Sequence, residues 1–193
     1  MRGYRALLAR ADGHDRACRA AFPRDIPCGR GCRDCCLGLF DVSLLDRDLL
    51  REGLEALGTG DRRDIGVRAA AILENLRTRF PGLGEDLDGW GDEEIDALCD
   101  AEGPVECPVL GKEGECRLYD HRPLLCRLQG APLVDLAGVT VHPGGCPRCT
   151  LGPDRVPRFD VEALRREERR LLRRRYRGRS GVTVLIPQAV SAP

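Results

Sequence analysis

The segment Cys28-Gly29-Arg30-Gly31-Cys32-Arg33-Asp34-Cys35-Cys36 places four cysteines within nine residues. Its two glycines permit the tight turns that bring neighbouring thiols together. Cysteines separated by two residues, as at 32 and 35, are the usual loop pair for tetrahedral zinc, and closely spaced cysteines also hold iron–sulfur clusters. The adjacent Cys35 and Cys36 project in different directions, which favours two metals or a cluster over one mononuclear site. The segment therefore predicts a metal site.

A second group of cysteines follows later in the chain. It comprises Cys107-Pro-Val-Leu110, Cys116-Arg-Leu-Tyr119, Arg122-Pro123-Leu-Leu-Cys126-Arg127 and Cys146-Pro-Arg-Cys149. Each fragment is too sparse to close a site alone, apart from the acceptable pair at 146 and 149, so we expect both groups to fold around one shared locus. The last ligand is either member of that pair. The predicted metal ligands are Cys28, Cys32, Cys35, Cys36, Cys107, Cys116, Cys126, Cys146 and Cys149.

Residues beside these cysteines are expected to support the site. Pro123 suits the first turn of a short helix, which would put Cys126 near a helix N-terminus that favours a thiolate. Arg122 and Arg127 are expected to offset the negative charge of metal-bound sulfurs. Tyr119 is expected to pack in the core beside the site. The two cysteines outside the pattern are expected to be small core side chains, and they are Cys18 and Cys99.

Taken together, these motifs resemble those of the YkgJ-type cysteine-cluster family over about residues 28–149. The shared features are the Cys-x3-Cys-x2-Cys-Cys start, the Cys-Pro-x-Leu, Cys-x2-Tyr and Arg-Pro-x2-Cys-Arg fragments, and a later cysteine. Val42-Ser43-Leu44 with Asp46 also resembles the segment that leads into the family's first helix. The resemblance implies a domain that chelates zinc or iron. Members are often labelled Fe–S oxidoreductases, and a related cluster occurs in flagellin lysine methylases, so the resemblance implies a metal site more directly than a reaction.

Hydrophobic periodicity predicts a mainly α chain with an irregular metal-bound cysteine-cluster core and one small β-hairpin. Helices are predicted over about 2–21, 44–57, 65–80, 92–99 and 159–177, and the hairpin over 133–142. The predicted organisation is a docking helix at 1–22, a cysteine-cluster metal-binding domain at 23–151 with a helical insertion at 41–106, a basic C-terminal helix at 152–180, and an extended tail at 181–193.

The sequence indicates a cytoplasmic protein without a membrane partner. Arginines at positions 2, 5 and 10 interrupt the apolar run that a secretory signal needs. The longest apolar run, 69–73, has five residues, against the roughly 18 to 20 that span a bilayer. In a reducing cytosol cysteines are more often metal ligands or catalytic thiols than disulfides, and the odd count of 11 fits a disulfide framework poorly.

Charge is unevenly distributed, although the chain has 31 basic and 31 acidic residues. Residues 41–106 carry 7 basic and 18 acidic groups, net −11, whereas residues 155–193 carry 11 basic and 4 acidic groups, net +7. We expect the basic helix to lie along the acidic region, an interpretation favoured over nucleic-acid binding because the whole chain is neutral.

Three functions remain open from the sequence. The first is a metal-binding protein that chelates zinc or an iron–sulfur cluster. The second is an Fe–S oxidoreductase or electron-transfer protein, with another protein as one candidate substrate. The third and weakest is a nucleic-acid-associated protein that uses the arginine-rich helix. The chain lacks the common nucleotide-binding and hydrolase motifs, so the sequence leaves open whether it is an enzyme.

Overall fold

The computed structural model describes residues 1–28, 31–101, 103–143 and 146–191. In that part of the chain the structure is mainly helical, as predicted, with two small antiparallel sheets. The helices are α1 (Arg2–Ala21), α2 (Leu44–Ala56), α3 (Thr59–Arg79), α4 (Asp92–Asp100), α5 (Leu124–Leu128), α6 (Val161–Arg175) and α7 (Ile186–Val190). The strands are β1 (Asp41–Ser43), β2 (Leu133–Val134), β3 (Thr140–His142) and β4 (Thr183–Leu185).

Helix α2 begins where its capping residue predicts. The Ser43 hydroxyl oxygen accepts a hydrogen bond from the Asp46 N–H at 3.3 Å, which satisfies one of the free donors of the first turn. Its leucines then follow the helical period into the core, where Leu44, Leu49 and Leu50 are almost fully buried. The helix predicted over 44–57 is thus confirmed.

The two strands of one sheet are close together in the sequence, whereas those of the other sheet are far apart. Strands β2 and β3 pair antiparallel, with Leu133 opposite His142, and form the predicted hairpin. Strands β1 and β4 also pair antiparallel, with Val42 opposite Val184, although β1 precedes α2 and β4 follows α6. This second pairing joins the segment before α2 to the end of the described chain.

The extended tail predicted at 181–193 is wrong over its described residues. That segment forms strand β4 and helix α7, and the side chains from Val184 to Val190 are buried. Burial is the physical reason: six of these seven side chains are apolar, and strand β1 offers a partner. The polar exception, Gln188, donates to the Gly84 carbonyl at 2.9 Å and accepts from the Leu185 N–H at 2.7 Å. Ala192 and Pro193 lie outside the described residues.

Helix α6 corresponds to the predicted basic helix. The Asp160 carboxylate caps it by accepting from the Ala163 N–H at 2.8 Å. Leu164 and Leu172 are buried in the main core, which also contains side chains of α1, α2, α3 and α7. Apolar burial therefore fixes α6 to the rest of the protein, and its arginines lie on the other side.

Candidate metal centre

Six of the nine predicted ligand cysteines line one cavity of about 490 Å³. The cavity lies between the 32–36 segment, the 107–116 segment and helix α5. Both cysteine groups therefore contribute side chains to one cavity wall, and the shared metal site expected there stays a prediction. The six cysteines are Cys32, Cys35, Cys36, Cys107, Cys116 and Cys126.

The first cysteine group is tied to the second by backbone hydrogen bonds. Asp34–Cys36 forms a single 3₁₀ turn. The Cys107 N–H donates to the Cys36 carbonyl at 2.9 Å, and the Gly38 N–H donates to the Val105 carbonyl at 2.7 Å. Gly31 adopts a φ of 83°, a conformation that favours glycine, whereas Gly29 lies outside the described residues.

The 107–116 segment is a tight loop clamped by helix α3. Leu110 pairs with Cys116 in an isolated antiparallel bridge. The Arg68 guanidinium donates to the Leu110 carbonyl at 2.5 Å and to the Cys107 carbonyl at 3.3 Å. Since these carbonyls belong to the loop that carries two cysteines, α3 helps to hold those thiols at the cavity.

Helix α5 positions Cys126, and Arg127 stabilises the loop before it. The Arg127 side chain is buried and donates to the carbonyls of Arg122 at 2.9 Å and Asp120 at 2.8 Å. Its third partner is the Asp12 carboxylate of α1 at 2.5 Å. Arg127 does not line the cavity among the residues described, so its expected role beside the sulfurs becomes one of holding the loop.

Four of the cavity thiols, those of Cys35, Cys107, Cys116 and Cys126, have raised pKa values, which favour the neutral form. A hydrogen bond with the neighbouring Cys36 thiol, together with burial, raises the pKa of Cys35. Burial raises the pKa of Cys107 to about 11 and raises that of Cys126 further. Burial is the largest influence on the pKa of Cys126, and α5 has only five residues, so the thiolate expected at a helix N-terminus stays a prediction. A bound cation would reverse this balance.

The lining of the cavity includes an exposed tyrosine and a half-buried arginine. The Arg122 guanidinium lies 3.7 Å from the centre of the Tyr119 ring, a cation–π contact. The Tyr119 side chain is 52% exposed, so the expectation that it packs in the core is wrong. Arg122 does line the cavity, as expected for a residue that offsets thiolate charge.

The remaining predicted ligands lie beside the cavity rather than on its wall. Cys149 packs with Cys28 against a small apolar cluster that contains Ile26, Leu151 and the buried Cys18. The Cys149 N–H donates to the Cys146 carbonyl at 3.1 Å, which closes a turn between the two. Cys99 packs instead against a third cluster on α3 and α4, as expected for a core side chain.

Some lining residues were not predicted from the sequence. Ile186 of α7 forms part of the cavity wall. The only sequence feature that could have indicated its burial is the apolar run around it. Phe40 and Leu50 add apolar surface, while Glu115 and Asp120 add carboxylates. His121 packs against Gly53 of α2 and does not line the cavity in the part of the chain described.

The six sulfurs surround the cavity without meeting at one point. Among the described residues, no three cysteine, histidine, aspartate or glutamate side chains form a group that would hold a metal ion directly. The donor set nevertheless fits a thiophilic metal, because thiolates are the preferred ligands of zinc and of iron–sulfur clusters. Binding would require the thiols to lose their protons and move inward.

Comparison of the chain with protein-family models, with curated proteins and with solved structures finds no match. The family resemblance of the cysteine motifs therefore stays a hypothesis. None of the helices in the described part of the chain has the length and apolar content to span a bilayer.

Proposed function

We propose that this chain is a metal-binding protein whose cysteines hold zinc or an iron–sulfur cluster in the cavity. The observation that carries the proposal is the presence of six cysteine side chains around one cavity. Free thiols have no reason to gather at chelating spacings, whereas metal ligation requires it.

The number of thiols supports more than one metal centre. A structural zinc ion uses four ligands, and six cysteines line the cavity. The adjacent Cys35 and Cys36 both belong to the wall. One iron–sulfur cluster also takes four cysteine ligands, so six thiols are used more fully by two metal centres than by a single zinc ion or a single cluster.

The shape of the cavity supports the second candidate function, an Fe–S oxidoreductase or electron-transfer protein. Structural zinc sites are closed, whereas sites that react keep an open position. A volume of about 490 Å³ lies within the range of small-molecule pockets, and Phe40, Leu50 and Ile186 give it apolar walls. The cation–π pair of Arg122 and Tyr119 adds a charged group to the lining, which a ligand bound beside the metal would contact.

Anaerobic purification followed by elemental analysis and a visible absorbance spectrum tests the proposal. Bound zinc gives a colourless protein, and an iron–sulfur cluster gives a brown one. Cys35→Ser and Cys126→Ser should each lose most of the bound metal. Cys99→Ser is the matched control, because Cys99 is also half-buried but lies away from the cavity.

Two outcomes would contradict the proposal. One is wild-type protein that holds no zinc or iron when purified and takes up neither when they are added under reducing conditions. The other is equal metal loss in Cys99→Ser and Cys35→Ser. Brown protein whose iron content falls with Cys35→Ser supports the cluster and favours the second candidate function.

A further inference from the structure

Helices α1 and α6 lie side by side and antiparallel, and both are rich in arginine. A Cβ at Gly3 would be 3.1 Å from the Leu171 side chain, so the start of α1 faces the end of α6. Near the other end of α1, the His14 ring stacks on Phe159 with centroids 4.4 Å apart. The two helices therefore present their outer faces on one side of the protein.

Together these helical segments concentrate positive charge. Residues 1–22 carry 5 basic and 2 acidic groups, and residues 155–179 carry 11 basic and 4 acidic groups, which gives net +10. The whole chain is neutral, so the rest of it carries net −10. The chain is neutral overall, but its positive and negative charges lie in different segments. A zero net charge therefore does not disfavour a polyanion as its partner.

Three arginines form the centre of the positive face. Arg166, Arg169 and Arg173 are spaced by three and four residues, which places them on one side of α6, and all three are exposed. No carboxylate in the described part of the chain lies within ion-pair distance of them, whereas Arg165 and Arg170 pair with glutamates of the same helix. We call these three residues the arginine stripe.

Among the described residues, the ion pairs between the basic segment and the acidic region come from the end of the basic segment. Arg175 pairs with Asp48 at 2.7 Å, and Arg179 pairs with Asp86 at 2.5 Å. Both carboxylates belong to the 41–106 region, so this part of the expectation holds. The arginine stripe lies on the side of α6 that is turned away from the Arg175 contact, and its three side chains are exposed to solvent.

We propose that the arginine stripe binds the phosphate backbone of duplex nucleic acid. Guanidinium groups match phosphate oxygens, and a stripe along a helix can follow a strand of phosphates. An anionic membrane is a poorer partner, because the apolar side of α6 is buried and the exposed large apolar side chains lie elsewhere, at Leu37, Val67, Tyr119, Leu136 and Val139. Single strands are also disfavoured, because no exposed aromatic ring lies on the described part of this face.

Fluorescence anisotropy with a labelled DNA duplex of arbitrary sequence tests the proposal. The probe is titrated with the full chain at low and at physiological salt. We expect affinity to fall steeply with salt, with a slope of about −0.9 for each phosphate contacted. The triple variant Arg166→Gln, Arg169→Gln, Arg173→Gln should lose about tenfold or more in affinity and show a shallower salt slope.

A matched triple variant removes the same charge elsewhere. Arg24→Gln, Arg62→Gln, Arg63→Gln changes three exposed arginines outside α1 and α6, and it should bind the duplex like the wild type. Thermal unfolding and metal content should be unchanged in both variants, which separates this proposal from the metal-binding one. Equal losses in the two triple variants, or salt-insensitive binding, would overturn it. So would tight binding to phosphatidylserine vesicles or single-stranded DNA without binding to the duplex.

Discussion

The buried Asp46 carboxylate accepts a hydrogen bond from the backbone N–H of Leu124 at 2.9 Å. The same oxygen accepts from the Tyr4 hydroxyl at 2.5 Å. One side chain therefore connects α1, α2 and the first turn of α5, the helix that brings Cys126 to the cavity. Burial raises the pKa of Asp46, and the hydrogen bonds it accepts lower it.

Replacing Asp46 should loosen the start of α5. Asp46→Ala leaves the Leu124 N–H and the Tyr4 hydroxyl without their acceptor, at about 1–3 kcal/mol for each buried group. Asp46→Asn keeps an acceptor oxygen and should cost less. Denaturant unfolding at neutral pH measures both. An Asp46→Ala variant as stable as the wild type would show that neither contact stabilises the fold.

Glu168 should make stability depend on pH. Burial and the nearby Asp46 carboxylate raise its pKa to about 7, although Ser43, Arg169 and Arg165 lower it. The folded state then binds more protons than the unfolded state between the ordinary glutamate value and about 7, so the free energy of unfolding should fall as pH rises through that range. Glu168→Gln should remove part of this dependence.

Unfolding midpoints at about pH 5 and about pH 8 test the effect of Glu168. The loss of stability between the two pH values should be smaller in Glu168→Gln than in the wild type. Glu162→Gln is the control, because Glu162 is an exposed acid on the same helix. If Glu162→Gln changes the pH dependence as much as Glu168→Gln, burial of Glu168 is not its cause.

Gly53 of α2 should not tolerate a side chain, whereas Gly66 of α3 should. A Cβ at Gly53 would be 2.7 Å from the His121 ring, so Gly53→Ala should displace the 119–121 turn and destabilise the protein. A Cβ added at Gly66 of α3 would meet nothing within 4 Å, and Gly66→Ala should stabilise the helix by up to about 1 kcal/mol. Thermal unfolding of the two variants should shift in opposite directions, and a shift in the same direction would contradict the contact with His121.

Metal removal should affect the 107–149 segment first. The described residues of that segment form one α-helix of five residues, one 3₁₀ turn and short strands, so few regular hydrogen bonds hold it without a ligand. Limited proteolysis of reduced protein, with and without a chelator, should show new cleavage sites there before any appear in α2 or α3. Identical cleavage and melting in the two states would show that the metal does not stabilise the fold.

Local patterns predicted the local parts of this structure. The Ser43 cap and the leucines after it predicted α2, because capping and helical period depend only on nearby residues. The spacing of Cys32 and Cys35 predicted a pair of metal ligands, and both thiols line the same cavity, although the metal itself stays a prediction.

Long-range contacts account for what the sequence did not predict. In the β1–β4 pairing Val42 lies opposite Val184, and neither strand contains a sequence feature that identifies the other as its partner. The burial of Arg127 depends on Asp12 of α1, far away in the sequence. Long-range contacts also decide the position of the fragment Cys146-Pro-Arg-Cys149. Its spacing is acceptable for metal ligands, but the fold of the chain places both thiols beside the cavity rather than on its wall.

The position of Ile186 has a consequence for how the protein is made. This side chain completes a wall of the cavity, yet it follows every cysteine in the order of synthesis. A nascent chain therefore displays all its thiols before β4 can pair with β1 and before α7 can cover them. During that interval the thiols are open to oxidants and to competing metals, so faithful assembly depends on the reducing power of the surroundings while translation is still under way.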